Sequence, residues 1–269
     1  MKLSIITINY NNAQGLEKTI KSVVSQNLRD FEYIVIDGNS TDGSKDIIKT
    51  YEDRIHYWIS ESDSGIYNAM NKGIRQANGE YLLFLNSGDF LNDEDSLRTV
   101  LFELNTGMDI VFFDMVLVDA ECNKSFIKKY PDFVDLKHMI LDAIPHQASF
   151  IKRKTLIDYG GYNENTNIIS DWIFFLDAII FGNASYKHIN QVFSSFNLDG
   201  ISSKAENVPG FIEERYEYIK NHHVAFYQIL DEWRSQENEL KRIRNSQSYK
   251  LSRKIANIIF NGKKLWKAH

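Results

Sequence analysis

Cysteine is nearly missing from this 269-residue chain. Cys122 stands alone, which excludes an internal disulfide framework and favours a reducing compartment, the cytosol. Long apolar runs are missing too. "LSIITI" near the N-terminus gives way at once to polar "NYNN", so it is too short for a signal-peptide core. No stretch reaches the roughly 18 apolar residues that would span a bilayer. Internal repeats and low-complexity segments are absent. Acidic residues are missing from one region only: Lys241–His269 carries nine Lys or Arg and no Asp or Glu. Residues 1–240 therefore hold 22 basic against 36 acidic side chains, a balance of −14. Nucleic acid would be repelled by so acidic a body, and the basic end needs a partner of its own.

Along the first hundred residues strand and helix patterns alternate. Leu3–Tyr10 and Phe31–Asp37 are apolar, β-branched runs, and Ile55–Ile59 and Tyr81–Leu85 follow as shorter strands. Between them, Leu16, Ile20, Val23 and Val24 share one helical face, as do Ile66, Met70 and Ile74. Ser40, Thr41 or Asp42 can cap a helix that runs to about Tyr51, and for Asp42 this structural role is favoured over a ligand role. Such alternation predicts a mostly parallel sheet flanked by helices. Further on, Asp109–Val118 and Ser125–Tyr130 suit an antiparallel pair. "PHQASFIKR" reads as a strand, 170–182 as a compact helix stopped by Gly182, and Tyr186–Phe196 as a late strand.

Ligands of open α/β sheets sit beyond the carboxyl ends of the strands. Three polar clusters fall there: "NYNN" at 9–12, "DGNSTDGS" at 37–44 and "NSGD" at 86–89. Each alone is an ordinary turn. Their convergence on one edge marks Asp89 as functional. The turn after the first strand lacks G-x-G-x-x-G, which argues strongly against a nicotinamide dehydrogenase.

"SIITINYNN", "VIDGNSTDGS", "DSGIYNAMNKGIRQANGEYLLFLNSGD" and "ISDW", in this order, resemble a family 2 glycosyltransferase over roughly residues 3–200. The resemblance implies the GT-A fold and transfer of a sugar from a nucleotide-diphosphate donor to an acceptor hydroxyl. It further implies inversion at the anomeric carbon, with Mn²⁺ or Mg²⁺ bridging enzyme and diphosphate. The transferase domain is expected over 1–204 and a helical C-terminal extension over 205–269. A processive polysaccharide synthase would need membrane spans and a QxxRW-type motif, and the chain has neither.

Residue by residue, the resemblance implies a donor pocket from Thr7, Asn9, Tyr10, Asp37, Asp63, Asn68, Asn71 and Ser87. Asp37 would meet the base or ribose; a second Asp is usual next to it, and Gly38 stands there. Gly65 opens a helix whose N-terminus favours phosphate, Tyr67 adds polar reach, and Lys72 is either a phosphate cation or a surface charge. Asp89 matches the last Asp of the metal-binding triplet, with Ser87 in place of the first. Asp171 matches the general base, although sequence geometry alone favours a helix cap by Ser170 or Asp171. His146 and Gln147 match the acceptor side, and Trp172 is either a wall of the acceptor pocket or core. "LDGIS", 198–202, resembles a loop that closes over the site.

From Val208 the chain reads as helical. Ile212, Tyr216, Ile219, His223, Phe226, Leu230, Trp233 and Leu240 follow steps of four and three, either a short dimerising coiled coil or a helix packed on the body. Residues 248–269 form a basic amphipathic pattern that suits an anionic membrane surface or the protein's own acidic body. The expected partners are a nucleotide-sugar donor, a glycan or lipid-linked acceptor, and a membrane that the protein meets peripherally from the cytoplasm. The competing reading is a nucleotide-sugar-binding or scaffolding protein that has lost catalysis, which Ser87 and Gly38 would suit.

Overall fold

The computed structural model describes residues 1–119, 122–198 and 208–252. The chain divides into two compact units, Met1–Phe211 and Ile212–His269. The expected boundary at 204/205 lies outside the described residues, as do most of "LDGIS" and the tail beyond 252.

The first unit starts with β1 (Leu3–Asn9), β2 (Glu32–Asp37), β3 (Tyr57–Ser60) and β4 (Tyr81–Phe84). Helices α1 (Ala13–Val24), α2 (Ser44–Thr50) and α3 (Ile66–Gln76) connect them. All of β1, β2 and β4 is buried, because helices cover both faces of a parallel sheet. On α1 the residues at helical spacing, Leu16, Ile20 and Val23, turn inward. Helix α3 lies tight against β1: a Cβ on Gly73 would come within 2.5 Å of Ile6 Cγ2.

The rest of the unit is β5 (Phe90–Leu91), α4 (Ser96–Leu104), β6 (Ile110–Asp119), β7 (Lys124–Lys128), α5 (Leu136–Leu141), β8 (Ser149–Lys152), α6 (Arg153–Asp158), α7 (Ser170–Phe175) and β9 (Tyr186–Asn197). Among the described residues nine strands form one sheet in the order β3-β2-β1-β4-β8-β6-β9-β5, with β7 paired to β6. Strands β3, β2, β1 and β4 are parallel; β8 then runs antiparallel to both β4 and β6. The β6–β7 pair is antiparallel, as its sequence suggests. Helix α7 is shorter than the expected 170–182, because residues 176–181 widen into a π-type turn before Gly182.

Aromatic packing fills the second half of the sheet. Phe113, Phe150 and Phe193, from β6, β8 and β9, form a triangle with centroids 5.0–5.8 Å apart. A bulge at Phe113–Met115 is held by buried His188, whose Nε2 lies 2.9 Å from Asp114 and whose Nδ1 lies 2.7 Å from Asp132. At the amino end of the first strands, Glu32 accepts bonds from Ser4 Oγ at 2.6 Å and from the Asn78 backbone N–H at 2.8 Å. That end of the sheet is a structural seam, and the polar clusters lie at the other.

The second unit holds α8, whose residues run Val208–His222 across the boundary, and α9 (Val224–Asn245). The expected continuous seam breaks at His223, which leaves helical geometry (φ −131°, ψ 55°). Arg234 of α9 lies 4.5 Å from the ring centre of Tyr216 of α8, so the helices fold back as a hairpin. No helix among the described residues is long and apolar enough to cross a membrane.

Candidate active site

The ends of β1 and β2 are fastened into one platform. Asn9 Nδ2 donates to Asp37 Oδ1 at 2.8 Å, and the Gly38 N–H donates to the Asn9 carbonyl at 2.8 Å. The backbone N–H of Asn11 donates to Ser40 Oγ at 2.8 Å, and Asn11 Oδ1 accepts the Thr41 N–H at 2.9 Å. Asn11 and Asn39 both take left-handed backbone angles (φ 47° and 63°), which asparagine tolerates better than other side chains. Asp42 accepts the Ala13 N–H at the start of α1 at 2.7 Å and the Ser44 N–H at the start of α2 at 3.1 Å. Its role is to hold two helix N-termini, wider than the single cap expected.

Asp37 is the centre of this platform and is 0 % exposed. Its carboxylate accepts from Asn9, from both the N–H and Oγ of Ser40, and from Ser60 Oγ at 2.5 Å. Burial pushes its pKa up, but the hydrogen bonds from Ser40, Ser60 and Asn9 outweigh this and hold it below the usual carboxylate range. No oxygen surface is left for a base or ribose, so the contact expected of Asp37 is replaced by an organising role. Ser60 pairs with Asp37 in the parallel register, a relation the sequence spacing does not display.

Other expected donor residues divide in the same way. Thr7 is 0 % exposed and donates to the Leu85 carbonyl at 2.8 Å, which places it inside the sheet rather than on a pocket wall. Both ends of the Asn71 amide are engaged with the 162–164 segment: Oδ1 accepts the Tyr162 N–H, and Nδ2 reaches the Tyr162 carbonyl and Glu164. Asn68 Nδ2 donates to the other Glu164 oxygen at 2.8 Å. Lys72 reaches the Ser62 carbonyl at 3.0 Å and Glu61 at 2.9 Å, which closes the 61–62 loop and spends its charge there. Glu164, which binds both asparagines, has no signal in the sequence.

Tyr10, 69 % exposed, stays available, and Asp63 is half-buried. A Cβ on Gly38 would sit 2.6 Å from Asp63 Oδ2 and 3.1 Å from Tyr10 Cδ2. The carboxylate of Asp63 thus occupies the space that a side chain at position 38 would fill. Its Oδ1 accepts the Gly65 N–H at 3.1 Å.

The turn after β4 is pinned by α1. Thr19 Oγ1 lies 2.6 Å from the Asp89 carbonyl and accepts the Gly88 N–H at 3.0 Å; Gly88 has φ 107°. Asn12 Nδ2 donates to the Ser87 carbonyl at 3.2 Å. Asp89 is buried, at 5 % exposure. Among the described residues no cluster of three or more His, Cys, Asp or Glu could cage a metal. The turn does offer oxygens: the Asp89 carboxylate, the Ser87 hydroxyl and the buried Asn86 Oδ1, which has no hydrogen-bond partner. One carboxylate and neutral oxygens fit a Mg²⁺ or Mn²⁺ ion that arrives with a diphosphate and fit thiolate-seeking metals poorly.

Asp171, in the first turn of α7, is brought to this turn by His146. Its Oδ2 lies 2.8 Å from His146 Nδ1, and its Oδ1 accepts from Tyr67 Oη at 3.0 Å. Asn86 Nδ2 lies 3.3 Å from His146 Nε2. Burial raises the Asp171 pKa, yet the His146 bond and charge, the Trp172 N–H and Tyr67 pull it below the usual carboxylate range. Burial and the Asp171 charge push Tyr67 far up, so its hydroxyl remains a donor. The Tyr67 ring packs on Tyr162 at 5.7 Å, which fixes its aim.

The two other residues matched to the acceptor side are buried. Trp172 is 1 % exposed and its Nε1 donates to the Met139 carbonyl at 2.5 Å, so it is core and offers no face to a sugar. Gln147 is 7 % exposed, and its backbone carbonyl accepts from Ser194 Oγ at 2.8 Å.

Comparison with known proteins bears on the family and the fold. The Glycosyl transferase family 2 model matches residues 4–147. An uncharacterized glycosyltransferase of Mycobacterium tuberculosis is 33 % identical over 218 residues, 76 % of this chain and 78 % of the relative. The GalNAc(5)-diNAcBac-PP-undecaprenol β-1,3-glucosyltransferase of Campylobacter jejuni is 31 % identical over 61 % of this chain and 55 % of its own length. A mannosyltransferase from Pyrobaculum calidifontis, solved with GDP-Man and Mn²⁺, superposes with a TM-score of 0.66 at 14 % identity, over 99 % of this chain and 83 % of that one. The chain belongs to glycosyltransferase family 2, and its mixed sheet with flanking helices is the GT-A type of fold.

Proposed function

We propose that this glycosyltransferase inverts the anomeric centre in one displacement, with Asp171 as general base. The observation that carries this is the Asp171–His146–Asn86 contact chain. It brings a half-buried carboxylate to the end of β4, where Asp89 lies. Asp171 takes the proton of an acceptor hydroxyl as that oxygen bonds to the anomeric carbon. The anomeric bond to the diphosphate breaks, and its electron pair leaves with the nucleoside diphosphate.

Tyr10, Asp63, Ser87 and the loops fastened by Asp37 supply the donor side. Asp89 holds a divalent ion that, when bound, stabilises charge on the leaving diphosphate. A lipid-linked or glycan acceptor in glycolipid or surface-polysaccharide assembly suits the family, and the Campylobacter relative's name carries such a lipid-linked saccharide. The basic segment 248–269 would then hold the enzyme on an anionic membrane, while a homodimer through α8 and α9 is the weaker reading.

The test is a thermal-shift panel of UDP, GDP, CDP and dTDP with and without Mn²⁺, on the wild type and Asp89→Ala. A ligand that binds only the folded chain raises Tm. We expect one nucleotide to raise it in a metal-dependent way that Asp89→Ala removes. Turnover in Asp171→Asn equal to wild type would refute the base. Nucleotide binding with no transfer to any acceptor by the wild type would favour a scaffold that has lost catalysis.

A further inference from the structure

The sequence resemblance puts His146 on the acceptor side, yet the structure engages both of its ring nitrogens within the protein. Nδ1 lies 2.8 Å from Asp171 Oδ2 and Nε2 lies 3.3 Å from Asn86 Nδ2. A ring so held has no nitrogen left for a sugar hydroxyl. It has the connectivity of an orienting group, because the bond made by one ring nitrogen decides which nitrogen carries the proton. With Asn86 Nδ2 donating to Nε2, the proton sits on Nδ1 and points at Asp171.

The local fold supports this aim. His146 opens the short 3₁₀ turn His146–Ala148 directly after Pro145, whose carbonyl accepts the Ala148 N–H at 3.1 Å and Ser149 Oγ at 2.6 Å. The imidazole is therefore mounted on a braced turn at the start of β8, the strand next to β4. The Asp171 and His146 side chains are 18 % and 15 % exposed, which strengthens a charge-assisted bond relative to one in open water. Asn86 Oδ1 is buried with no partner, so a turned amide would offer an acceptor to Nε2–H.

We propose that His146 is a positioning residue for Asp171: its Nδ1–H fixes one carboxylate oxygen, Tyr67 fixes the other, and the remaining lone pairs face the acceptor hydroxyl. Through Nε2 and Asn86 the base is also tied to the turn that carries Asp89, so the acceptor and donor halves share one support. This inference rests on the reading of Asp171 as general base.

The test has two arms. In the first, ¹⁵N NMR of the ring of His146 in the full chain, which needs no donor, should show a proton on Nδ1, as the neutral Nδ1–H form or as imidazolium. A neutral Nε2–H ring would overturn the proposal. In the second, nucleoside diphosphate release from UDP-glucose and GDP-mannose with Mn²⁺ is followed, with water standing in for the acceptor. His146→Ala should lower kcat about ten- to hundredfold, with donor KM within about twofold, a part of the roughly 10²–10⁴-fold that a general base supplies. His146→Asn places an amide N–H near Nδ1 and should recover much of the loss, while His146→Gln should not. Equal rates for the Asn and Gln variants would overturn the positioning role, since both are similar polar replacements and a merely structural defect would not separate them. If Asp171→Asn is inactive and His146→Ala is not, this inference alone fails; if Asp171→Asn is fully active, the reading beneath it fails.

Discussion

Asp37 allows the sharpest test of the site's construction. Removing its carboxylate with Asp37→Ala strips four hydrogen bonds from donors in a fully buried position. The two serine hydroxyls can rotate toward other acceptors. Asn9 Nδ2 keeps Ser40 Oγ at 3.2 Å, but the Ser40 N–H has no second partner. One orphaned N–H costs about 1–3 kcal/mol, and the lost charge-assisted bonds and vacated volume bring the total to about 2–4 kcal/mol. Asp37→Asn should cost less, about 1–2 kcal/mol. Its carbonyl can still accept, and its new N–H₂ can face Asn9 Oδ1, which is buried and unpaired in the wild type. Urea unfolding of the three proteins, at neutral and acid pH, measures both differences. The folded-state pKa of Asp37 is lowered, so its contribution is complete above the ordinary carboxylate range and is lost as pH falls through the folded value. The gap between wild type and Asp37→Asn should therefore narrow in acid. Equal midpoints for Asp37→Ala and wild type, or a gap that widens in acid, would refute the organising role.

Three further outcomes are expected. Gly79→Ala would put a Cβ 2.5 Å from the backbone N of Ser4 and 2.7 Å from Leu3 C, a collision that β1 cannot relieve by rotating a side chain. Calorimetry should show a loss of about 1–3 kcal/mol, and an unchanged Tm would contradict the packing. Gly38→Ala should cost only about 1 kcal/mol, since Asp63 can swing away at the expense of its bond to Gly65. The nucleotide-dependent thermal shift should nevertheless shrink in this variant, and a full-sized shift would remove Asp63 from the donor side. Deleting 248–269 should abolish sedimentation with anionic liposomes; undiminished sedimentation would end the membrane assignment of that segment.

Much of the frame is legible in the sequence because it follows from periodicity. The parallel strands, the helical faces of α1 and α3, and the β6–β7 pair each follow from spacing and burial. Asp89 and Asp171 stand out for a different reason, their order among recognisable motifs. What the sequence hides depends on where side chains point after folding. Trp172 adjoins Asp171 in sequence, yet helical geometry sends the two in different directions, one to the Met139 carbonyl and the other to His146 and Tyr67. Asp37 looks like a ligand because it ends a strand; only the strand register shows Ser60 beside it. Asn71 and Glu164 meet across a long stretch of chain, and no local pattern announces the pair. The break at His223 was likewise invisible, since apolar spacing continues through it.

The fastening of the strand ends bears on how this enzyme could be re-engineered. Strand β1 lies between β2 and β4; its Asn9 supports Asp37, and its Ile8 carbonyl accepts the Ser87 N–H at 3.1 Å. Asn12 then crosses to Ser87, and Asn11 to Ser40 and Thr41. A donor-switching chimera that exchanged only one of these loops would leave half of each cross-link with a foreign partner. Segments 9–12, 37–44 and 86–89 form one cassette, and a successful graft has to transplant all three together.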